Sequence, residues 1–331
     1  MNKDKTPYKI LQVLKDGQFH SGEDLGHALD MTRSAIWKGV KQLTTNYNLE
    51  IQSVSGRGYR IEGGLDLLDI DEILKNIYEP LHDELEISIL DQVESTNDYL
   101  LENIRSDSRC GLPYHAVVAE QQTKGRGRRG REWQSPYGHN IYFSLAWCCN
   151  KDPLELSGLS LAAAIAIIRT LERFGIKGLE VKWPNDIYYH DKKLAGVLID
   201  LVGESHGRTT MIIGMGINTY ISNKTGEDIS QPWVSIHDIL GEFIDRNKLI
   251  GTLSQEVIKM IHQFDDAHLE PFLKEWNKHD CFSGKEVVLF NAEKKIQGVM
   301  QGIGDHGELL LLDDTGQVKK HISGELSLRK A

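Results

Sequence analysis

The sequence predicts an α+β chain built from three units: a winged helix-turn-helix over residues 1–62, a central mixed β-sheet with helices on one face over 63–280, and a small β-barrel over 281–331. Three observations carry that reading. A chain of 331 residues is longer than a usual single domain. Its first 62 residues hold nine Lys/Arg against seven Asp/Glu, whereas the whole chain stands at −10, so the start is electrically a different object. From residue 285 onward only short strand patterns remain, parted by Gly and Asp turns.

In the first unit, residues 7–15 place Ile10, Leu11, Val13 and Leu14 on a short amphipathic helix that ends at Asp16-Gly17. Ser21 reads as an N-cap, with Asp24 at the reciprocal position, for a helix burying Leu25, Ala28 and Leu29. Thr32 caps the next helix, which buries Ala35, Ile36, Val40 and Leu43. That helix exposes Arg33, Ser34, Trp37, Lys38 and Lys41, a face without acids. Alternation through Leu49, Ile51 and Ser53, a turn at Gly56-Arg57-Gly58 and a return over 59–61 form a wing with Arg57 at its tip. Helix pairs of this kind also serve as plain interaction modules. Caps, charge segregation and wing together favour DNA binding, with the second helix in the major groove and Arg57 and Arg60 on phosphates.

An acidic helical stretch from Leu65 to Ile77 bridges to the second unit. Residues 87–90 predict a strand, Ser95-Thr96-Asn97 a cap cluster opening a helix, and 115–120 a second strand that runs into a loop of glycines and arginines. Residues 140–147 alternate as a strand. The longest helix is expected over 154–174, apolar on nearly every side and therefore buried on the sheet. Strands follow over 179–183, 194–202 and 209–213, the last ending in Gly214-Met215-Gly216-Ile217-Asn218. Residues 219–234 read as a long polar loop, a length that is uncommon unless functional or disordered. Helices over 235–240, 247–264 and 269–276 complete the unit. Strands over 286–290, 295–301, 308–312 and 318–322 make the barrel.

No apolar run is long enough to span a bilayer and no apolar signal segment follows the start, which predicts a cytoplasmic protein without a membrane partner. The four cysteines, Cys110, Cys148, Cys149 and Cys281, have neither a C-x-x-C spacing nor a secreted framework, and the thirteen histidines form no metal-binding pattern.

Residues 121–133 pack Gly125, Gly127 and Gly130 among Lys124, Arg126, Arg128, Arg129 and Arg131, a place for an anion. The glycines match the dinucleotide fingerprint in letters, but that site needs a helix directly after them, and Trp133-Gln134-Ser135-Pro136-Tyr137-Gly138 is no helix. A phosphate-binding Walker loop fails for want of Gly-Lys-Ser/Thr. A second constellation, Lys182-Trp183-Pro184-Asn185-Asp186, places a lysine at the end of a buried strand, where it either meets an anion or snorkels to the surface. Asp186 either pairs with Lys182 or helps hold a magnesium ion.

In residues 125–133 and 182–186 the chain resembles the biotin protein ligases, and its winged helix makes it similar to the bifunctional members that also repress a biotin operon. The resemblance implies a ligase fold related to class II aminoacyl-tRNA synthetases, with an SH3-like barrel at the end. It implies that biotin and ATP, with Mg²⁺, give biotinyl-5′-adenylate and pyrophosphate, and that a lysine of the biotin carboxyl carrier protein of acetyl-CoA carboxylase takes the biotin. It implies further that Ser95, Thr96, Asn97, Gln121, Gly125, Arg126, Gly127, Arg128, Lys182 and Gly196 surround biotin, that Trp133, Asn185 and Asn218 lie at the adenylate, and that Lys182, Arg126 and Arg128 neutralise charge. Residues 219–234 would close over the adenylate, and an adenylate-loaded homodimer would bind operator DNA. A repressor that senses an adenylate without chemistry, and a lipoate or octanoate ligase, are the competing readings.

Overall fold

The computed structural model describes residues 6–106, 113–152, 155–205, 208–291, 294–322 and 327–330. Helices α1 (Thr6–Leu14), α2 (Gly22–Leu29) and α3 (Arg33–Asn46) pack Ile10, Leu11, Leu14, Leu25, Ile36 and Leu43 into one core. Ser21 and Thr32 cap α2 and α3 by accepting from the amides of Asp24 and Ala35. Strands β1 (Ile51–Val54) and β2 (Gly58–Ile61) form the wing, and His20 pairs with Tyr59 beside it. Gly58, at φ 98°, has room for no Cβ, since one would lie 2.0 Å from the His20 carbonyl oxygen.

The bridge is not the long helix that the spacing of leucines suggests. Only α4 (Ile70–Leu74) is helical. Leu65 instead joins the core of the winged helix, together with Tyr137 from the central unit. The acids that looked like a helical face have other partners: Asp66 accepts from the Arg246 amide and Asp69 caps α4.

The central sheet contains β3 (Leu85–Leu90), β4 (Tyr114–Ala119), β5 (Ile141–Cys149), β6 (Glu180–Lys182), β7 (Asp186–Tyr189), β8 (Lys192–Ser205) and β9 (Arg208–Ile217). Among the described residues its order is β3-β4-β5-β9-β8-β7-β6, with β3 and β4 parallel and the other neighbours antiparallel. Helix α5 (Thr96–Ser106) covers one face, packing Leu100 against Val117, Ala146 and Ile212. The long helices cover the other. There α6 (Leu159–Arg173) lies between sheet and outer helices, which is why its Ala162–Ala166 centre is apolar all round. It begins at Leu159, after Gly158 at φ 84°, rather than at 154, which lies outside the described residues.

Within residues 219–234 only α7 (Asn223–Glu227) is regular. Then come α8 (Ile236–Leu240), α9 (Arg246–Ala267) and α10 (Glu270–His279). The final unit is an antiparallel sheet of β10 (Glu286–Asn291), β11 (Lys294–Ile303), β12 (Leu309–Leu312), β13 (Val318–His321) and β14 (Ser327–Lys330), ordered β13-β12-β11-β10-β14. Two strands escape the sequence pattern. β7 is four residues between two turns, and β14 is a short segment at the chain end.

Where the units meet positions the site. The Cys281 amide donates to the Val181 carbonyl (3.0 Å), so the last unit starts beside β6. Trp183, 2% exposed, donates from Nε1 to the Gly307 carbonyl of the last unit at 3.0 Å. Among the described residues no helix is long and apolar enough to cross a membrane, and Cys110 lies outside them.

Candidate functional site

Strand ends, the glycine-arginine loop, residues 228–233 and Phe282 enclose a cavity of about 940 Å³. That volume is at the upper end of the ~300–1,000 Å³ usual for small-molecule sites.

One end is a polar floor. Ser95, Thr96 and Asn97, each under 5% exposed, open α5 over the sheet. Both the amide and the hydroxyl of Thr96 donate to Oε1 of Gln122 (2.9 and 3.1 Å). The Ser144 hydroxyl on β5 lies 2.5 Å from Asn97 Oδ1 and 2.7 Å from Thr96 Oγ1. Burial without these partners would cost each polar group about 1–3 kcal/mol, so the floor is a satisfied network rather than a lone cap. Gly214 lies beneath it: a Cβ there would stand 2.2 Å from Asn97 Oδ1. Gly216, next on the same face of β9, is covered by the Trp133 ring, 2.5 Å from where its Cβ would be. The Gly-Met-Gly pattern is thus explained by two side chains that lie directly on the strand.

The other end is cationic. Lys182 ends β6, half-buried, with Nζ 3.4 Å from the Tyr188 hydroxyl and over the rings of Tyr188 (4.9 Å) and Phe282 (5.7 Å). Burial raises the Tyr188 phenol well above its ordinary pKa. The Arg128 guanidinium donates to Asn185 Oδ1 (3.2 Å), and burial lowers its pKa. Lys193 meets Asp186 at 2.7 Å and lies over Trp133 at 5.3 Å. Cys281 lines this end as well, its thiol pushed up to about 12 by burial, which disfavours the thiolate.

Of the residues singled out from the sequence, Ser95, Thr96, Asn97, Arg126, Gly127, Arg128, Trp133, Lys182, Asn185, Asp186, Gly196 and Asn218 line this cavity. Gln121 does not. It points away, accepting from Gln92 (2.8 Å) and donating to the Tyr47 carbonyl (3.2 Å) in the winged helix. Its neighbour Gln122 occupies the floor, because a one-residue step past β4 turns the side chain to the other side. Gly125 is buried behind the lining, where a Cβ would meet the Trp133 carbonyl oxygen at 2.4 Å. Arg126 reaches the wall, but its guanidinium meets Asp98 (2.8 Å) and Asp200 (2.6 Å), so its charge is already matched by acids. Asp186 pairs with Lys193 instead of Lys182. Asn218 fastens the long loop, donating to the Val234 carbonyl at 3.2 Å. Gln122, Ser144, Asp200, Lys193, Tyr188 and Phe282 escaped the sequence reading. For Asp200 the signal was present, since Gly196, Leu198 and Asp200 alternate onto one face of β8.

Among the described residues no three His, Cys, Asp or Glu side chains come together as a metal cage. Asp186, the carboxylate that the sequence offered to a magnesium ion, is paired with Lys193.

In the winged helix, Arg33, Ser34, Trp37, Lys38 and Lys41 form one exposed stripe on α3, with Lys41 over the Trp37 ring at 5.3 Å. Arg57 is exposed at the wing tip over Phe19. Arg60 is committed elsewhere: it donates to Gln52 (2.8 Å) and pairs with Glu62 (3.2 Å).

A sheet with a charged cavity at its strand ends, preceded by a helix-turn-helix and followed by a small antiparallel sheet, defines a ligase joined to a DNA-binding module, and comparison with known proteins agrees. Residues 89–218 match the biotin/lipoate A/B protein ligase family, 8–60 an HTH domain and 282–329 the biotin protein ligase C terminal domain. The chain belongs to the biotin protein ligase family, in its bifunctional ligase/repressor form. It is 38% identical over 330 residues to the bifunctional ligase/repressor BirA of Salmonella typhimurium and 37% identical to that of Escherichia coli, covering 99% of each chain. Among solved structures, the biotin protein ligase from Aquifex aeolicus in complex with biotin and ATP is 30% identical, with a TM-score of 0.62 over 74% of this chain and 99% of that one.

Proposed function

We propose that the protein joins biotin to ATP and passes the biotin to a lysine of a carrier protein, and that its adenylate-loaded form represses transcription. The observation that supports this most is the shape of one cavity: a hydrogen-bonding floor from Ser95, Thr96, Asn97 and Gln122 at one end, Lys182 and Arg128 at the other. A flat polar ring system with a carboxylate tail needs both ends.

In the first step a biotin carboxylate oxygen bonds to the α-phosphorus, the bond to the bridging oxygen breaks and pyrophosphate leaves. Two anions must approach, so the protein's work is positioning and charge neutralisation, done by Lys182 and Arg128. Arg126 shapes the loop rather than the reacting charge, because two carboxylates hold it. Trp133, whose ring covers Gly216 and carries Lys193 over it, offers aromatic surface for the adenine. Magnesium supplies further charge neutralisation when it enters with the nucleotide. In the second step the carrier lysine attacks the acyl carbon, the carbon–oxygen bond to phosphate breaks and AMP leaves. Residues 228–233 and Phe282 line the cavity where a closing segment would limit competition from water.

Biotin-dependent exchange of pyrophosphate into ATP tests this reading. Exchange with biotin and none with lipoate or octanoate is expected; no exchange with biotin sinks it. The carrier protein of acetyl-CoA carboxylase is the proposed acceptor, and incorporation of labelled biotin into its lysine is the check.

For repression, a single winged helix offers one reading helix, and two copies related by a twofold axis would read two half-sites. Sedimentation with and without biotin and ATP tests dimer formation. Lys38→Ala should weaken binding to operator DNA and lower the salt slope by about 0.9, the loss of one phosphate contact. Arg60→Ala should change that slope little, because Gln52 and Glu62 already hold its guanidinium. An equal loss in both variants would return Arg60 to the phosphate contacts.

A further inference from the structure

The geometry points to Asp200 as a positioning residue for biotin binding, one that ties the glycine-arginine loop and the floor of the cavity to a single carboxylate oxygen. The inference rests on the ligase reading. Asp200 Oδ2 accepts from Asn97 Nδ2 at 2.9 Å and from the Arg126 guanidinium at 2.6 Å. Asp200 projects from β8, Asn97 lies in the first turn of α5 and Arg126 sits in the loop, so one side chain joins three elements. Its side chain is 22% exposed, drier than that of Asp98 at 39%, which makes it the stronger partner of Arg126.

Asn97 has little freedom left. Ser144 lies on its Oδ1, Asp200 on its Nδ2 and Gly214 beneath it. The orientation of that amide, and hence what it presents to a ligand, is set by Asp200 and Ser144 together. The same oxygen holds Arg126 in a loop rich in glycine, whose freedom would otherwise have to be lost when biotin binds. Asp200 therefore acts through Asn97 and Arg126 and touches no reacting atom.

The full-length chain tests this through the kinetics of pyrophosphate exchange with biotin and ATP varied separately. Asp200→Ala should raise KM for biotin about tenfold, as loss of a charge-assisted hydrogen bond predicts, and change KM for ATP by less than about twofold. Asp200→Asn, which keeps an acceptor oxygen without the charge, should fall between and serves where the alanine variant folds poorly. Trypsin should cut within residues 126–131 faster in both variants, and saturating biotin should restore protection. The double variant Asp200→Ala/Arg126→Ala should be no worse than Arg126→Ala by more than about twofold, since the two act as one unit. An unchanged biotin KM in a folded variant, an equal rise in both KM values, or additive losses would overturn the proposal. Wild-type protein that shows no exchange would sink the ligase reading instead, and the trypsin comparison would then decide the role of Asp200 alone.

Discussion

Lys182→Ala is expected to lower the rate of adenylate formation by about 10²–10³-fold, the range seen when one preorganised donor to a developing charge is removed. Lys182 stands where β6 ends, and its Nζ is framed by the rings of Tyr188 and Phe282 and by the Tyr188 hydroxyl. An ammonium held this way is positioned before the carboxylate and phosphate arrive, so little reorganisation is needed at the moment of reaction. The loss should fall on kcat more than on KM for biotin, because the floor that grips the rings is a separate hydrogen-bonded network. Lys182→Arg should not recover the rate, since a larger planar fork with fixed donor directions does not put its charge where the compact ammonium stands. Single-turnover formation of the adenylate is the measurement, with melting as the control for folding. A rate within threefold of wild type, on the order of one weak contact, would take Lys182 out of the mechanism.

What the sequence made legible follows from how local each signal is. Caps at Ser21 and Thr32, the wing turn and the buried α6 announce themselves within a few residues; the caps stand where the spacing places them, and α6 differs from the expectation at its start, beginning at Leu159. The two charged constellations were legible because arginines and a strand-end lysine are expensive unless they have a task. The partners that give those residues their tasks are far off in the chain. Asp200 is 74 residues from Arg126, and Ser144 is 47 from Asn97, so no window in the sequence joins them. Gln121 and Gln122 show the same limit at its smallest scale. Adjacent residues of one type face opposite sides at the end of β4, and only the bond from Thr96 tells which is the floor. The bridge was misjudged for a related reason. Leucines at 65 and 68 look like a helical stripe, but they are drawn to different cores, one in the winged helix and one against the central sheet.

Arg246→Ala is expected to destabilise the central unit by about 3–5 kcal/mol, the cost of leaving one half of a buried ion pair behind. Arg246 and Glu120 are 3% and 6% exposed and meet at 2.8 Å. Glu120 also accepts from the Leu68 amide, and Arg246 donates to the Asp66 carbonyl, so the pair locks the bridge between the end of β4 and the start of α9. The pH dependence identifies the cause. Burial, first of all, and the nearby Asp91 and Asp66 raise the pKa of Glu120, whereas Arg246 and the Leu68 amide lower it. Without Arg246 the folded-state value rises further above the unfolded one, near pH 4.3. A raised folded value contributes stability that is fully present below the unfolded pKa and is lost as pH climbs through the folded one. The deficit of the variant should therefore be smallest near the unfolded pKa and grow as the pH rises above it. Adding Glu120→Gln, which removes the orphaned charge and keeps an acceptor for Leu68, should recover most of the loss at the higher pH. Urea unfolding of the single and double variants across that range is the check. A deficit that does not change with pH would mean that lost packing around the Arg246 stem, and not an unpaired carboxylate, sets the cost.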